Sequence, residues 1–223
     1  MTELVHVPFD IETTGLGATD EVTVVGFELD LGCRVFYQTG DRLHEGCEAM
    51  VRDRTDELVK LSAHRSERVL LEAVSEFVAT RLRSDDVLLV AFNGEVWRGG
   101  FDLPFLRTRF AVHDIAWPFR DIPYADLLPV IRDLFNTRLD GEDASDLDTA
   151  YEALCGGGYG VFDPFQDSAE AVAAFDDGRF EELVLHNVSD VLRTGQLSGV
   201  AQRYCAKSDF KLKSLTPTVH DHG

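Results

Sequence analysis

Lysine is nearly absent from this chain: Lys60, Lys207, Lys211 and Lys213 are the only four among 223 residues. Lysine and arginine together number 21 against 40 acidic residues, a formal net charge of −19 and a pI near 4.6. So acidic a chain is an awkward partner for a polyanion unless local cations or metal ions intervene. Cysteine is also scarce. Cys33, Cys47, Cys155 and Cys205 lie far apart with no C-x-x-C pair, which argues against both a zinc knuckle and a disulfide framework. No apolar run approaches the roughly 18 residues needed to span a bilayer, and no basic segment leads into an apolar stretch at the N-terminus. A soluble, reducing, cytoplasmic setting is the expectation.

Apolar residues make up 44% of the chain and include 15 phenylalanines, enough for one sizeable core and too much for a disordered polyanion. A single domain is expected. A folded surface this acidic and lysine-poor suggests work in concentrated salt, where the Debye length shrinks to about 3 Å at 1 M and self-repulsion is screened.

Leu4–Asp10 alternates and then runs apolar, Val22–Leu29 is β-branched and mostly apolar, and Cys33–Gln38 alternates, with turn residues between them. These predict a three-stranded antiparallel meander. From Ser66 to Arg83 the apolar residues Leu70, Val74, Phe77, Val78 and Leu82 recur at helical spacing. Val87–Phe92 suits a strand buried on both faces, reached by a crossover from the meander. Helical patterns follow over Phe101–Val112, Tyr124–Phe135, Ser145–Cys155, Ser168–Asp176 and Phe180 to about Tyr204. The order indicates an α/β layer architecture: a mixed sheet with flanking helices. Gly156-Gly157-Gly158 with Gly160 reads equally as a lid or as a plain connection.

Three stretches place carboxylates beside apolar runs. Asp10 and Glu12, in the string Phe9-Asp10-Ile11-Glu12-Thr13-Thr14-Gly15-Leu16, share one face of a strand, so both can reach one ion. Thr13, Thr14 and Gly15 form a turn whose backbone N–H groups can approach a sugar or phosphate. Asp102, near a helix start after Asn93-Gly94, either complements the helix dipole or ligates a metal, and Asn93 either caps an element or meets a substrate. His186 and Asp190 lie four apart on the flank of a helix stripe. A histidine one turn from a metal-binding aspartate is well placed as general base, since its ordinary pKa near 6.5 suits proton transfer at neutral pH. Two divalent cations about 4 Å apart need several such carboxylates when the substrate is itself anionic.

The string F-D-I-E-T-T-G-L at 9–16, N-G-x5-G-F-D-L-P-F-L around Asp102, and H-N-x2-D ending at Asp190 resemble the three motifs of the DEDD, or DnaQ-like, exonuclease superfamily, whose fold is RNase H-like. Within it the chain resembles the YprB-like exonucleases, which are similar to the proofreading domain of family B DNA polymerases, and its acidic surface makes a halophilic archaeon the expected source. The motifs span residues 10 to 190, so the resemblance covers most of the chain and implies an RNase H-like domain over 1–206 and a tail over 207–223. It implies two Mg²⁺ or Mn²⁺ ions bridged by Asp10. Glu12 and Asp190 would ligate the ion that activates water, and Asp102 would hold the second. Thr14 and Gly15 would receive a terminal 3′-hydroxyl, with Leu16 wedged against the last base and Asn93 nearby. Single-stranded DNA or RNA 3′ ends are the implied substrates and a replication or repair protein a possible partner. The superfamily carries a tyrosine four residues before the last aspartate or a histidine five before it; here position 185 is leucine and His186 takes the tyrosine's place as the expected base. Arg98, Arg107, Arg109 and the lysines of the tail are the cations available to track phosphates. A silent binding module and an endonuclease on the same fold are the rival readings.

Overall fold

The computed structural model describes residues 4–42, 45–83, 86–95, 101–139, 142–143, 146–165 and 168–219. Its first strand, β1 (Val5–Thr13), pairs antiparallel with β2 (Val22–Leu29), and β2 with β3 (Gly32–Gln38), forming the expected meander. Helix α1 (Cys47–Thr55) then leads to β4 (Val59–His64), which adds to β3 in parallel. The crossover is α2 (Glu67–Phe77), prolonged by a π-helical stretch over Val78–Leu82, and it delivers β5 (Val87–Ala91) parallel to β1. After α3 (Asp102–Val112) comes β6 (Pro123–Asp126), parallel to β5, followed by α4 (Leu127–Leu134). A two-residue ladder, β7 (Arg138–Leu139) with β8 (Glu142–Asp143), precedes α5 (Leu147–Cys155), α6 (Ser168–Asp177) and the long α7 (Phe180–Tyr204). The last strand, β9 (Lys213–Ser214), pairs antiparallel with β6. The seven-stranded mixed sheet therefore runs β4-β3-β2-β1-β5-β6-β9, with α/β architecture.

Strand periodicity divides the core into layers. Val7, Phe9 and Ile11 of β1 pack with Leu70, Leu71, Val74, Leu103, Leu106 and Phe110 of α2 and α3 on one face of the sheet. On the other face Val24, Val35 and Tyr37 pack with Leu183, Val184, Val188 and Val191 of α7. Leu88 and Val90 meet α4 and α5, also under α7. The β5 run is buried on both faces, as its continuous apolar sequence predicts. Helix α7 lies close because Gly26 of β2 has no side chain: a Cβ there would stand 2.0 Å from Asn187 Oδ1.

Three sequence expectations need correction. The helix expected over Tyr124–Phe135 is a strand and then a helix. Tyr124 and Ala125 are buried and pair with Leu89 and Val90, while Asp126 ends the strand and caps α4 by accepting the Leu128 N–H at 3.0 Å. One residue serves as strand end and cap, so no turn residues mark the boundary. Helix α1 and β4 were not expected: α1 buries only Cys47, Val51 and Thr55, and β4 alternates over too few residues to stand out. Finally, the segment expected as a C-terminal tail from 207 packs on the domain over its described residues. Phe210 and Leu215 are buried, and Trp117 Nε1 donates to the Leu215 carbonyl at 3.0 Å. Among the described residues no helix is long and apolar enough to cross a membrane.

Candidate metal centre

On β1 the residues between Val7, Phe9 and Ile11 necessarily face the other way, so Asp10 and Glu12 point toward α7. There Asn187 Nδ2 donates to Asp10 Oδ2 at 2.9 Å. Asp190, three residues on, turns to the same side of the helix. The β1–β2 register shifts between Glu12 and Thr13, a bulge that starts the turn over 14–21. Thr14 ties the turn's ends together, its N–H donating to the Glu21 carbonyl and its Oγ1 accepting the Glu21 N–H, both at 2.9 Å. Gly15 lets the Asp20 carboxylate fold over the turn, since a Cβ there would lie 2.6 Å from Asp20 Oδ2 and push that side chain away.

Asp102 is brought in by a second turn. Asn93 adopts a left-handed φ of 65°, and the carbonyls of Asn93 and Gly94 accept from the N–H groups of Phe101 and Leu103, which fixes the start of α3. Gly94 is hemmed in by Ala91, Tyr124 Oη and Asp102 Oδ2, at 2.6, 2.9 and 3.1 Å from where its Cβ would be. Asp102 is thereby buried at 8% exposure. Among the described residues no hydrogen-bond donor reaches its carboxylate.

The result is one cavity of about 480 Å³ lined by Asp10, Glu12, Asp102, His186 and Asp190, with Gly15, Leu16, Phe101 and, from α6, Ala169 and Val172 forming its less polar walls. Leu16 remains 70% exposed at its edge. All four expected acids and the histidine come together there. Gly15 and Leu16 join them, whereas Thr14 and Asn93 shape the two turns and do not line the cavity. The expected phosphate-tracking cations fare differently. Arg109 is buried and donates twice to Glu67, at 2.8 and 2.7 Å, and once to the Ala18 carbonyl at 3.0 Å, so it braces the 14–21 turn instead of facing a substrate. Arg107 lies over the Trp117 ring, Lys213 pairs with Glu95, and Lys207 borders a cavity with Leu4 and His6 at the opposite end of β1. Arg98 lies outside the described residues.

Three residues of the network had not been singled out. Asp163 Oδ1 accepts from His186 Nδ1 at 2.9 Å, and its Oδ2 accepts from Arg193 Nη1 at 2.8 Å. Arg193 also reaches Asp190 Oδ1 at 2.6 Å and Asp148 Oδ1 at 2.8 Å. Asn187 is the third. Asn187 and Arg193 flank Asp190 at three residues on either side, a spacing that could have flagged them; Asp163 sits in a loop with no local pattern.

Electrostatics set these acids apart from a solvated face. Burial, then the charges of Glu12, Asp102 and Asp190, push Asp10 well above the usual carboxylate value, and burial with its acidic neighbours does the same for Asp102. Burial raises Glu12 to about 7, with the His186 charge opposing and Asp190 and Asp163 adding. Asp190 is raised by burial against the pull of His186 and Arg193. For His186 burial acts downward, but Glu12, Asp163 and Asp190 prevail and hold the imidazolium up to about 10. Burial also pushes Asp163 upward, yet the His186 and Arg193 contacts win and keep it below its ordinary value. Four crowded acids that resist ionisation, one of them without a donor, are poorly served by the protein alone and well served by a cation. Glu12, His186 and Asp190 can each turn one donor atom to within 4.8 Å of the others, a span one ion can bridge. The donors fit a divalent metal.

No protein-family model matches the chain, and no curated protein sequence matches it significantly.

Proposed function

We propose that this chain is a metal-dependent 3′-to-5′ exonuclease of RNase H-like fold, acting on single-stranded ends of DNA or RNA. One observation carries the reading: Asp10, Glu12, Asp102 and Asp190, from β1, α3 and α7, converge with His186 on one cavity that Leu16, Phe101, Ala169 and Val172 also line. The strand order β3-β2-β1-β5-β6, an antiparallel meander followed by parallel strands, supports it as the frame in which β1 carries the first acids and α7 the last.

Divalent ions held by the four carboxylates would supply activation of water and stabilisation of charge on the phosphate and leaving oxygen. Asp10, steadied by Asn187, is the central acid, since Glu12, Asp102 and Asp190 all act on it electrostatically. The Gly15 backbone and the Leu16 side chain offer a close, apolar seat for a terminal nucleoside, held rigid by Arg109 and Thr14. Ala169 and Val172 oppose them and narrow the space. With Arg107, Arg109 and Lys213 engaged elsewhere, binding energy would come mainly from the metal centre and the last nucleotide.

The test is incubation of linear and circular single-stranded DNA and RNA with the protein and Mn²⁺ or Mg²⁺ in on the order of 2 M KCl, beside Asp10→Ala. Loss of linear strands only, abolished in the variant, is expected. Cutting of the circles would indicate an endonuclease, and an inert but folded protein would indicate a binding module.

A further inference from the structure

We propose that His186 is itself a metal ligand through Nε2, completing a site with Glu12 and Asp190, that Asp163 is the residue positioning its ring, and that this mixed nitrogen and oxygen set favours first-row transition ions over Mg²⁺. This replaces the general-base role expected for His186. It concerns the same cavity as the nuclease reading and rests on that reading for what the ion does.

The geometry is that of ligands around a common centre. His186 Nε2 stands 3.8 Å from Asp190 Oδ2, and one donor atom from each of Glu12, His186 and Asp190 falls within a span of 4.8 Å. Donors bound at about 2.0–2.2 Å to one ion lie no more than about 4.4 Å apart, so the observed spacing needs little adjustment. In two of these residues the other polar atom is already engaged. Arg193 occupies Asp190 Oδ1 and so leaves Oδ2 for an ion, while Asp163 occupies His186 Nδ1 and so leaves Nε2.

Asp163 gives the assignment its force. Histidines that bind metals almost always donate their other ring N–H to a carboxylate or carbonyl, which fixes the tautomer and the direction of the ring. Asp163 does so at 2.9 Å, is itself anchored by Arg193 at 2.8 Å, and has a side chain only 3% exposed. The Phe165 ring packs against the imidazole at 5.3 Å between centroids, closing another direction of movement. Independently, Asp102, only 8% exposed, lines the same cavity, and no hydrogen-bond donor reaches its carboxylate among the described residues, which leaves it open to a cation. An imidazole nitrogen suits transition ions, whereas Mg²⁺ prefers an all-oxygen shell. On binding, the ion takes the place of the proton on Nε2.

Mn²⁺ is the probe. It is added to the full-length protein, with natural-abundance or ¹⁵N-labelled histidine, and the bound ion is examined by pulsed EPR while affinities for Mn²⁺ and Mg²⁺ are measured calorimetrically. The wild type is expected to show coupling to an imidazole nitrogen that changes with the label. His186→Gln should lose that coupling and its preference for Mn²⁺, and Asp163→Asn should keep the coupling but bind Mn²⁺ about 10- to 100-fold more weakly. Bound Mn²⁺ without histidine coupling in the wild type overturns the proposal, as does an unchanged Mn²⁺ preference in folded His186→Gln; the wild-type spectrum decides even where a variant fails to fold. Strand cleavage without the coupling would sink the ligand role and leave the nuclease reading intact. Coupling without cleavage would do the reverse, and no Mn²⁺ binding would overturn both.

Discussion

Replacing Glu12 by Gln should stabilise the protein when metal is withheld, although it removes a carboxylate that the proposed metal centre uses. Glu12 is 8% exposed and is raised from its ordinary 4.5 to about 7 by burial and by Asp190 and Asp163 against His186. A carboxyl whose value is raised on folding binds more protons folded than unfolded, so stability falls as pH climbs from 4.5 through 7. At roughly 1.4 kcal/mol per pH unit, ionised Glu12 costs the metal-free fold roughly 3 kcal/mol at pH 8. His186 acts in the same direction at higher pH, because its value rises from 6.5 to about 10 and the stability it adds below 6.5 is lost as pH rises toward 10. Urea denaturation in EDTA, at pH 5 and pH 8 in constant high salt, compares the wild type with Glu12→Gln. The wild type should lose stability between the two pH values and Glu12→Gln should lose markedly less, ending on the order of 3 kcal/mol the more stable at pH 8. Adding Mn²⁺ at about 100 times its dissociation constant should return about 2.7 kcal/mol to the wild type and less to the variant. Equal pH dependence of the two proteins in EDTA would refute the picture of a carboxylate centre strained without its cation.

Other changes probe the frame around the site. Arg109→Met leaves the buried Glu67 carboxylate with only the Val22 N–H and His113 as partners and should cost about 1–3 kcal/mol by urea denaturation, with part recovered in the Glu67→Gln double variant. Gly26→Ala places a methyl group 2.0 Å from Asn187 Oδ1 and should displace Asn187 from Asp10, costing about 1–3 kcal/mol and cutting cleavage more than folding; unchanged melting and rate would show that α7 has room to move. The −19 charge should make the melting temperature rise steeply with KCl up to about 1–2 M, and equal melting at about 50 mM would remove the case for adaptation to salt.

Much of this was legible in the sequence because the signals are local. The alternation of β1 puts Asp10 and Glu12 on the face opposite Val7 and Phe9, and helical spacing in α7 puts His186 and Asp190 together; neither depends on the rest of the fold. The apolar run Val87–Phe92, of which Val87–Ala91 forms β5, and the meander were equally clear. What escaped depends on tertiary partners. Strand β6 is revealed only by its pairing with β5, since Asp126 both ends the strand and caps α4. Asp163 meets His186 across 23 positions from a loop without pattern, and Arg109 looks like any exposed cation until Glu67 is found beside it. Charge counting placed arginines at the substrate, where burial and pairing instead make one of them a brace.

The most direct test of the central claim is the product pattern from 5′-labelled single strands given Mn²⁺ in high KCl, followed over time for the wild type and for Asp10→Ala and Asp190→Ala. A ladder that shortens one nucleotide at a time from the 3′ end, releasing nucleoside 5′-monophosphates in the wild type alone, is the predicted result. Intact strands in every lane, from protein shown to be folded and to bind Mn²⁺, would contradict the account.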